Sequence, residues 1–517
     1  MADGPPTPPP RYLLDLQNWR RVDYDHIEER PIDYGIVSYT WGRLIDQTRT
    51  VADDEKPEHV TWNIPYVPSL PLSRAKAVMK TMGKRYVWWD WMCVPQAAGG
   101  HQLQGEDAEI AAHEIANQRN IYKRAKASIV WLHGIEWAHY PLLASFLEGK
   151  MRLQSQDHTN FRGVVSVTKF ILEQIQAEEP WLTSGWTLQE GILLPNAPLV
   201  DSKGLKLQNT IFPEGGAASV ASITATVVPL ASRIGDAFRD YSEKESFANE
   251  EYIVRFIQAH DDNYEFMARF LAALIRSGFV GYNSGAPLFL LAGKASRKFS
   301  KPEDECWALI GAMDINVPNP QYYNGLQMDR VMSMFFEPLL ERYQWRLFLI
   351  GRMMDDDWRT KSWPRRVVEG HALPLEIYFS VSWEERLPVL RLDPEIPRKL
   401  HMTPHQEEKT IQLIDNEQHV LCRRYKQSTY QDGFVRLTKI EEEFTKESLF
   451  LKVASLESLN KGDNKGLREG FRCIEIQRIT DNEGRFWGVA DVWKGGELAP
   501  GEQRSFYYRE TAHFALW

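Results

Sequence analysis

Between Tyr34 and Val200, short apolar runs alternate with longer stretches whose apolar residues recur every three or four positions. Gly35-Ile36-Val37-Ser38-Tyr39 is a β-type run that ends at Thr40-Trp41-Gly42, where a loop is expected. Residues 72–84 have helical spacing. Residues 85–94 are nearly all apolar, the composition of a strand buried on both faces. A second helix is expected over 108–126, with Ile110, Ile115, Ile121 and Tyr122 among its apolar positions. A third strand follows over 127–132, closed by His133-Gly134. Helices are expected over 141–153, 161–177 and 187–194, then a short strand at Pro198-Leu199-Val200. This alternation predicts an α/β domain with a parallel sheet flanked by helices. In such sheets ligands sit beyond the carboxyl ends of the strands, here 39–42, 90–96 and 133–134.

The pattern divides the chain into an N-terminal tail and lead-in (1–30), the α/β domain (31–205), a mostly helical region (206–345) and a β-rich C-terminal domain (346–517). Residues 1–10 carry five prolines and little to bury. One long amphipathic segment runs over 252–275, with further helical patterns at 303–313 and 328–343. Short strands are expected at 376–381, 410–414, 434–437, 472–476 and 486–490, with Asn482-Glu483-Gly484 as a hairpin-type turn.

Composition narrows the function classes. A net charge of -9 over 517 residues gives no support to a general phosphate-backbone binder, so no nucleic-acid partner is expected. The four cysteines, Cys93, Cys306, Cys422 and Cys473, are widely spaced, and the 13 histidines show no ligand spacing. Neither a disulfide framework nor a metal site follows. A stretch apolar enough to span a membrane is missing, and the N-terminus lacks the layout of a secretory signal, so a cytoplasmic protein is expected. No glycine loop of the GxGxxG or GxxxxGK[ST] kind, no GxSxG elbow and no HExxH occur.

The densest candidate chemistry lies in 180–191, Pro-Trp-Leu-Thr-Ser-Gly-Trp-Thr-Leu-Gln-Glu-Gly. Thr183 or Ser184 is placed to cap a helix, and Trp186 and Glu190 stand four apart, on one helical face. An isolated pair of this kind is more often a buried Trp beside a solvated Glu than a pocket wall. Asp90, set within Trp88-Trp89-Asp90-Trp91, either orients ligand or loop at a strand end, or caps the next turn or pairs with Arg85 or Arg119. Cys93 sits in an apolar neighbourhood that raises a thiol pKa and points to core packing.

Several ordered motifs share one resemblance. Val37-Ser38-Tyr39-Thr40-Trp41-Gly42 resembles the "SYxWG" opening of the fungal HET (heterokaryon incompatibility) domain. The run from Trp88 to Gln96 is similar to its "WIDxxCINQ" element, and 121–132 to its "IYxxA…VWLG". Gly185-Trp186-Thr187-Leu188-Gln189-Glu190 is similar to its "RxWTLQE". Farther on, 303–311 resembles the "DKxYALLG" of these proteins. Three positions depart: Pro95 replaces the usual Asn, His133 intrudes before a glycine, and Gly185 stands where the family usually has Arg. HET domains are in turn similar to TIR domains, whose "SxWCxxE" carries the glutamate essential for NAD hydrolysis. Ser184, Trp186 and Glu190 reproduce that spacing, with Thr187 in place of Cys.

The resemblance implies a TIR/flavodoxin-like sheet and hydrolysis of NAD or NADP, as substrate rather than cofactor, with Glu190 as the catalytic carboxylate. It implies a pocket formed by Ser38, Tyr39, Trp41, Gly42, Arg43, Asp90, Cys93, Gln96, Ser184 and Trp186. Because nicotinamide leaves as a neutral molecule from a cationic ring, the chemistry asks only for a carboxylate near the ribose and a water. The implied biology is a cell-death effector of fungal non-self recognition, self-associated when active, with an incompatibility or receptor protein as partner. The alternative is a non-catalytic death-signalling adaptor, which Pro95 and Gly185 favour and the intact Ser-Trp-Glu spacing opposes. A nucleic-acid-processing enzyme ranks last.

Overall fold

The computed structural model describes residues 8–40, 44–96, 103–150, 158–210, 215–243, 252–276, 287–295, 297–323, 325–349, 361–368, 381–415, 420–429, 435–440, 447–456, 470–494 and 506–517. Two compact units emerge. The first joins Met1–Leu230 to Ala273–Gly285 and Ser296–Val331; the second joins Ala231–Ala272 and Ala286–Ala295 to Met332–Trp517.

The first unit is built on a six-stranded sheet. Its strands are β1 (Tyr12–Asp15), β2 (Arg20–Asp23), β3 (Tyr34–Ser38), β6 (Tyr86–Trp88), β7 (Ala127–Trp131) and β8 (Leu199–Val200), in the order β2-β1-β6-β3-β7-β8. β4 (Asp46–Thr50) and β5 (Pro65–Tyr66) form a separate antiparallel pair. The four strands β6-β3-β7-β8 are mutually parallel, as the alternating pattern required. The β1–β2 hairpin adds two antiparallel strands at one edge. Helices α1 (Leu72–Lys80), α2 (Asp90–Cys93), α3 (Gly105–Arg124), α4 (Pro141–Leu147), α5 (His158–Glu178) and α6 (Gly185–Leu193) intervene between the strands.

One expectation needs correcting. The apolar run 85–94 is not a single strand: it is β6 over three residues, then a helical turn from Asp90 to Cys93. The Asp90 Oδ1 accepts the Trp91 N–H at 2.9 Å, and the amides of Met92 and Cys93 return to the Trp89 carbonyl, each at 2.9 Å. Trp89, Trp91, Met92 and Cys93 are all buried. An apolar run buried throughout carries no periodicity to separate strand from helix. The core beneath is aromatic: Tyr39 packs against Trp89, Trp91 and Trp131, with ring centroids 5.9, 6.0 and 6.4 Å apart.

Across the middle of the chain lie helices Val220–Glu243, Tyr252–Ala259, Asp261–Arg276, Pro287–Ala295 and Met328–Tyr343. The single segment expected over 252–275 is thus two helices, broken at His260. Of the pattern at 303–313, only Asp304–Trp307 is α-helix, followed by turns.

Among the described residues, the second unit carries an 11-stranded sheet. Its longest pair, Gly470–Thr480 and Glu483–Lys494, turns through Asp481-Asn482, one residue earlier than expected. The strand expected at 376–381 is observed as Val381–Trp383; residues 376–380 lie outside the described residues. Among the described residues, two ion pairs are enclosed in this sheet. Arg424 grips Glu475 with two hydrogen bonds of 2.7 Å, and Arg472 grips Asp491 at 2.8 and 3.1 Å. The four cysteines are buried free thiols. Among the described residues, no helix is long and apolar enough to cross a membrane.

Candidate active site

Ser38, the last residue of β3, is fully buried. Its hydroxyl donates to Glu190 Oε2 at 2.5 Å and accepts from the Trp181 indole Nε1 at 2.7 Å. The Tyr122 side chain, from the last turn of α3, also hydrogen-bonds Glu190. A relay therefore runs from indole N–H to hydroxyl to carboxyl, across 143 and 152 positions of sequence. Burial pushes the Glu190 carboxyl up to about 8; Asp90 adds to the rise, while the bonds from Ser38 and Tyr122 oppose it. Burial likewise lifts the Tyr122 hydroxyl well above its ordinary range, so Tyr122 is a neutral donor.

Asp90 stands behind this cluster. Its Oδ1 accepts from Tyr39 Oη at 2.8 Å as well as from Trp91 N. Tyr39, with its ring among three tryptophans, offers Asp90 a hydroxyl and offers a ligand no open face. Gln96 spans the loop beyond α2 by donating to the carbonyls of Val94 (2.9 Å) and Asp90 (3.2 Å). His133, at the end of β7, sits 2.6 Å from the Thr40 carbonyl through Nε2, tying the ends of two parallel strands together. Burial lowers its pKa, which leaves the ring neutral with Nε2 as donor.

Glu190 is aimed by the way α6 begins. The 3-10 turn Pro180–Leu182 precedes it, and Ser184 occupies the N-cap position without a side-chain capping bond. Glu179 instead organises the approach: it accepts from Trp181 N at 3.0 Å and Gly134 N at 3.1 Å, with its carboxyl raised by burial to about 7. Gly185 abuts the Phe299 ring so closely that a methyl group there would overlap it. Gln189 accepts the amides of Gly311 (2.6 Å) and Ala312 (3.2 Å) and bonds the side chain of Gln118. Trp186 hydrogen-bonds Asp304, which also accepts from Tyr322 Oη at 2.9 Å. The motif at 303–311 is therefore a backing for α6.

The structure brings together Ser38, Tyr39, Asp90 and Glu190 of the expected site, with Gln96 tying the adjoining loop. Trp186, one turn from Glu190, reaches a different partner, and the indole that meets the site is Trp181. Cys93 is not brought to it: the thiol is fully buried, with its Sγ 3.9 Å from the Val87 carbonyl, and burial raises its pKa. Trp41, Gly42 and Arg43 lie outside the described residues. Sequence reasoning missed Trp181 and Tyr122 as site residues, although both stood inside stretches singled out for other reasons. Among the described residues, no group of three or more His, Cys, Asp and Glu is arranged to hold a metal.

Parallel strands ending on a hydroxyl, a carboxyl and two ring-borne donors define an α/β domain with a candidate ligand-binding centre at the carboxyl edge of its sheet. Residues 34–190 match the family model described as "Heterokaryon incompatibility protein (HET)". The chain therefore carries a HET domain, which implies a function related to heterokaryon incompatibility, and the matched region ends on Glu190. No curated protein and no solved structure matches the chain.

Proposed function

We propose that the HET domain is a TIR-like NAD(P) glycohydrolase whose product or nucleotide depletion drives cell death in fungal non-self recognition. Glu190 is its catalytic carboxylate. The observation that carries this reading is the enclosure of Glu190 by Ser38, Tyr122 and Trp181 at the end of β3. The parallel strand order β6-β3-β7-β8, second-first-third-fourth in chain order, supports a flavodoxin-like sheet. In the proposed reaction the ribose–nicotinamide C–N bond breaks and its electron pair leaves with nicotinamide. Ionised Glu190 stabilises the oxocarbenium-like ribose, a water oxygen bonds to the anomeric carbon, and the water proton passes to solvent. The cationic ring of the substrate favours the ionised form of a carboxyl otherwise held near 8.

The active form is self-associated and cytoplasmic, with an incompatibility or receptor protein as its partner. A second reading, the non-catalytic adaptor, draws on the burial that raises the Glu190 carboxyl to about 8 and so favours its neutral form at pH 7. The two separate in one assay, nicotinamide release from NAD and NADP at low and high protein concentration. Release that grows with concentration and disappears in Glu190→Gln supports the enzyme. Release that persists in Glu190→Gln removes Glu190 from the mechanism.

A further inference from the structure

The relay onto Glu190 depends on where the Trp181 indole stands, and that position is held from a remote part of the first unit. Residues 297–299 lie alongside the turn that opens α6. Lys298 pairs with Ser184 as a parallel bridge: Gly185 N donates to the Lys298 carbonyl at 3.0 Å, and Lys298 N to the Thr183 carbonyl at 2.7 Å. Phe299 covers Gly185. Arg297, only 6% exposed, turns the other way. Its Nη1 lies 3.0 Å from the Trp181 carbonyl, 3.2 Å from the Ser184 carbonyl and 3.3 Å from Thr187 Oγ1. The Thr187 hydroxyl in turn contacts the carbonyls of Trp181 and Ser184. Since Nη1 has two hydrogens, the three contacts are shared, and the guanidinium behaves as a hub for the whole turn.

A buried cation at this place answers a local need. The Trp181 carbonyl, inside the 3-10 turn, accepts from the side chains of Arg297 and Thr187, and leaving a carbonyl unpaired inside protein is costly. Arginine suits the task because its charge persists and its fork has fixed geometry. The same guanidinium contact fixes the backbone of Trp181, whose indole fixes the Ser38 hydroxyl, whose proton goes to Glu190.

We propose that Arg297 is the positioning residue of the Glu190 site, acting through Trp181 and Ser38 without touching substrate. This rests on Glu190 being the working carboxyl of the reading above, but its test needs no turnover.

The experiment is NMR of the full chain, following the Trp181 indole N–H, assigned with Trp181→Phe, and the Glu190 side-chain carboxyl against pH. Arg297→Ala is expected to move the Trp181 indole resonance and raise the Glu190 midpoint, as Ser38→Ala does. Combining Arg297→Ala with Ser38→Ala is expected to add no further shift, because both act along one relay. Arg297→Lys, which keeps a cation and three donors, is expected to recover part of the wild-type signal. It also carries the test if the alanine variant does not fold. An unmoved indole and midpoint in folded Arg297→Lys and Arg297→Ala would overturn the inference, as would fully additive shifts. Absence of NAD hydrolysis in the wild type would count against the enzyme reading alone.

Discussion

A carboxyl that accepts two hydroxyl bonds yet remains hard to ionise is the chemical signature of Glu190. Its folded value of about 8 lies above the ordinary 4.5, so the folded state holds a proton that the unfolded state releases. This contribution to stability is complete below pH 4.5 and is lost as pH rises through about 8. Melting temperature measured across that window should fall less in Glu190→Gln than in wild type; parallel curves would contradict the assignment. The same value sets catalysis. The rate constant kcat/KM for NAD is expected to rise with pH along a limb near 8. Asp90→Asn removes a charge that raises the value and should move the limb to lower pH; Ser38→Ala removes a bond to the carboxylate and should move it higher. A limb unmoved by both would contradict the account. At Gly185 the issue is space. Gly185→Ala should destabilise by about 1–3 kcal/mol or more through overlap with Phe299. Phe299→Leu should recover part of that loss, as chemical denaturation would show.

At the scale of elements, the sequence marked α6 by its punctuation and Glu190 by its spacing to Ser184 and Trp186. Trp181 stood inside the 180–191 segment without a role of its own, and nothing local marked Arg297. Their roles arise from contacts across 143 and 116 positions, and a periodicity reads only neighbours on one face. The parallel core was legible because strands buried on both faces read as short unbroken apolar runs that alternate with helical spacing. The β1–β2 hairpin was not, since Arg20-Arg21-Val22-Asp23 is charged and only half-buried at the sheet edge. In the β-rich unit the five expected strands fall on observed ones within a few residues. Those at Val389–Leu392, Leu400–Thr403, Tyr508–Thr511 and Phe514–Leu516 were too short to stand out, and the longer Val420–Thr429 and Ser448–Leu456 were missed as well. Its enclosed Arg424–Glu475 pair makes a sharp prediction. Glu475→Ala removes the buried carboxylate that Arg424 grips and should cost about 3–5 kcal/mol in denaturant unfolding. A loss below about 1 kcal/mol, the scale of an exposed pair, would show that the pair is open to water.

For the whole molecule, the family match and the physical unit differ in extent. The match stops at Glu190, whereas the first unit takes in Ser296–Val331, which supplies Arg297, Phe299, Asp304 and the amides of Gly311 and Ala312. A fragment of residues 1–205 should therefore show fast amide hydrogen exchange over 185–193, against protection in the full chain. Equal protection would contradict the role of the later segment. The central claim, that Glu190 works as the catalytic carboxylate of an NAD-cleaving site, is tested most directly by nicotinamide release from concentrated full-length protein, wild type against Glu190→Gln. The account predicts turnover in wild type and its loss in a variant that remains folded. Equal turnover in both would contradict it.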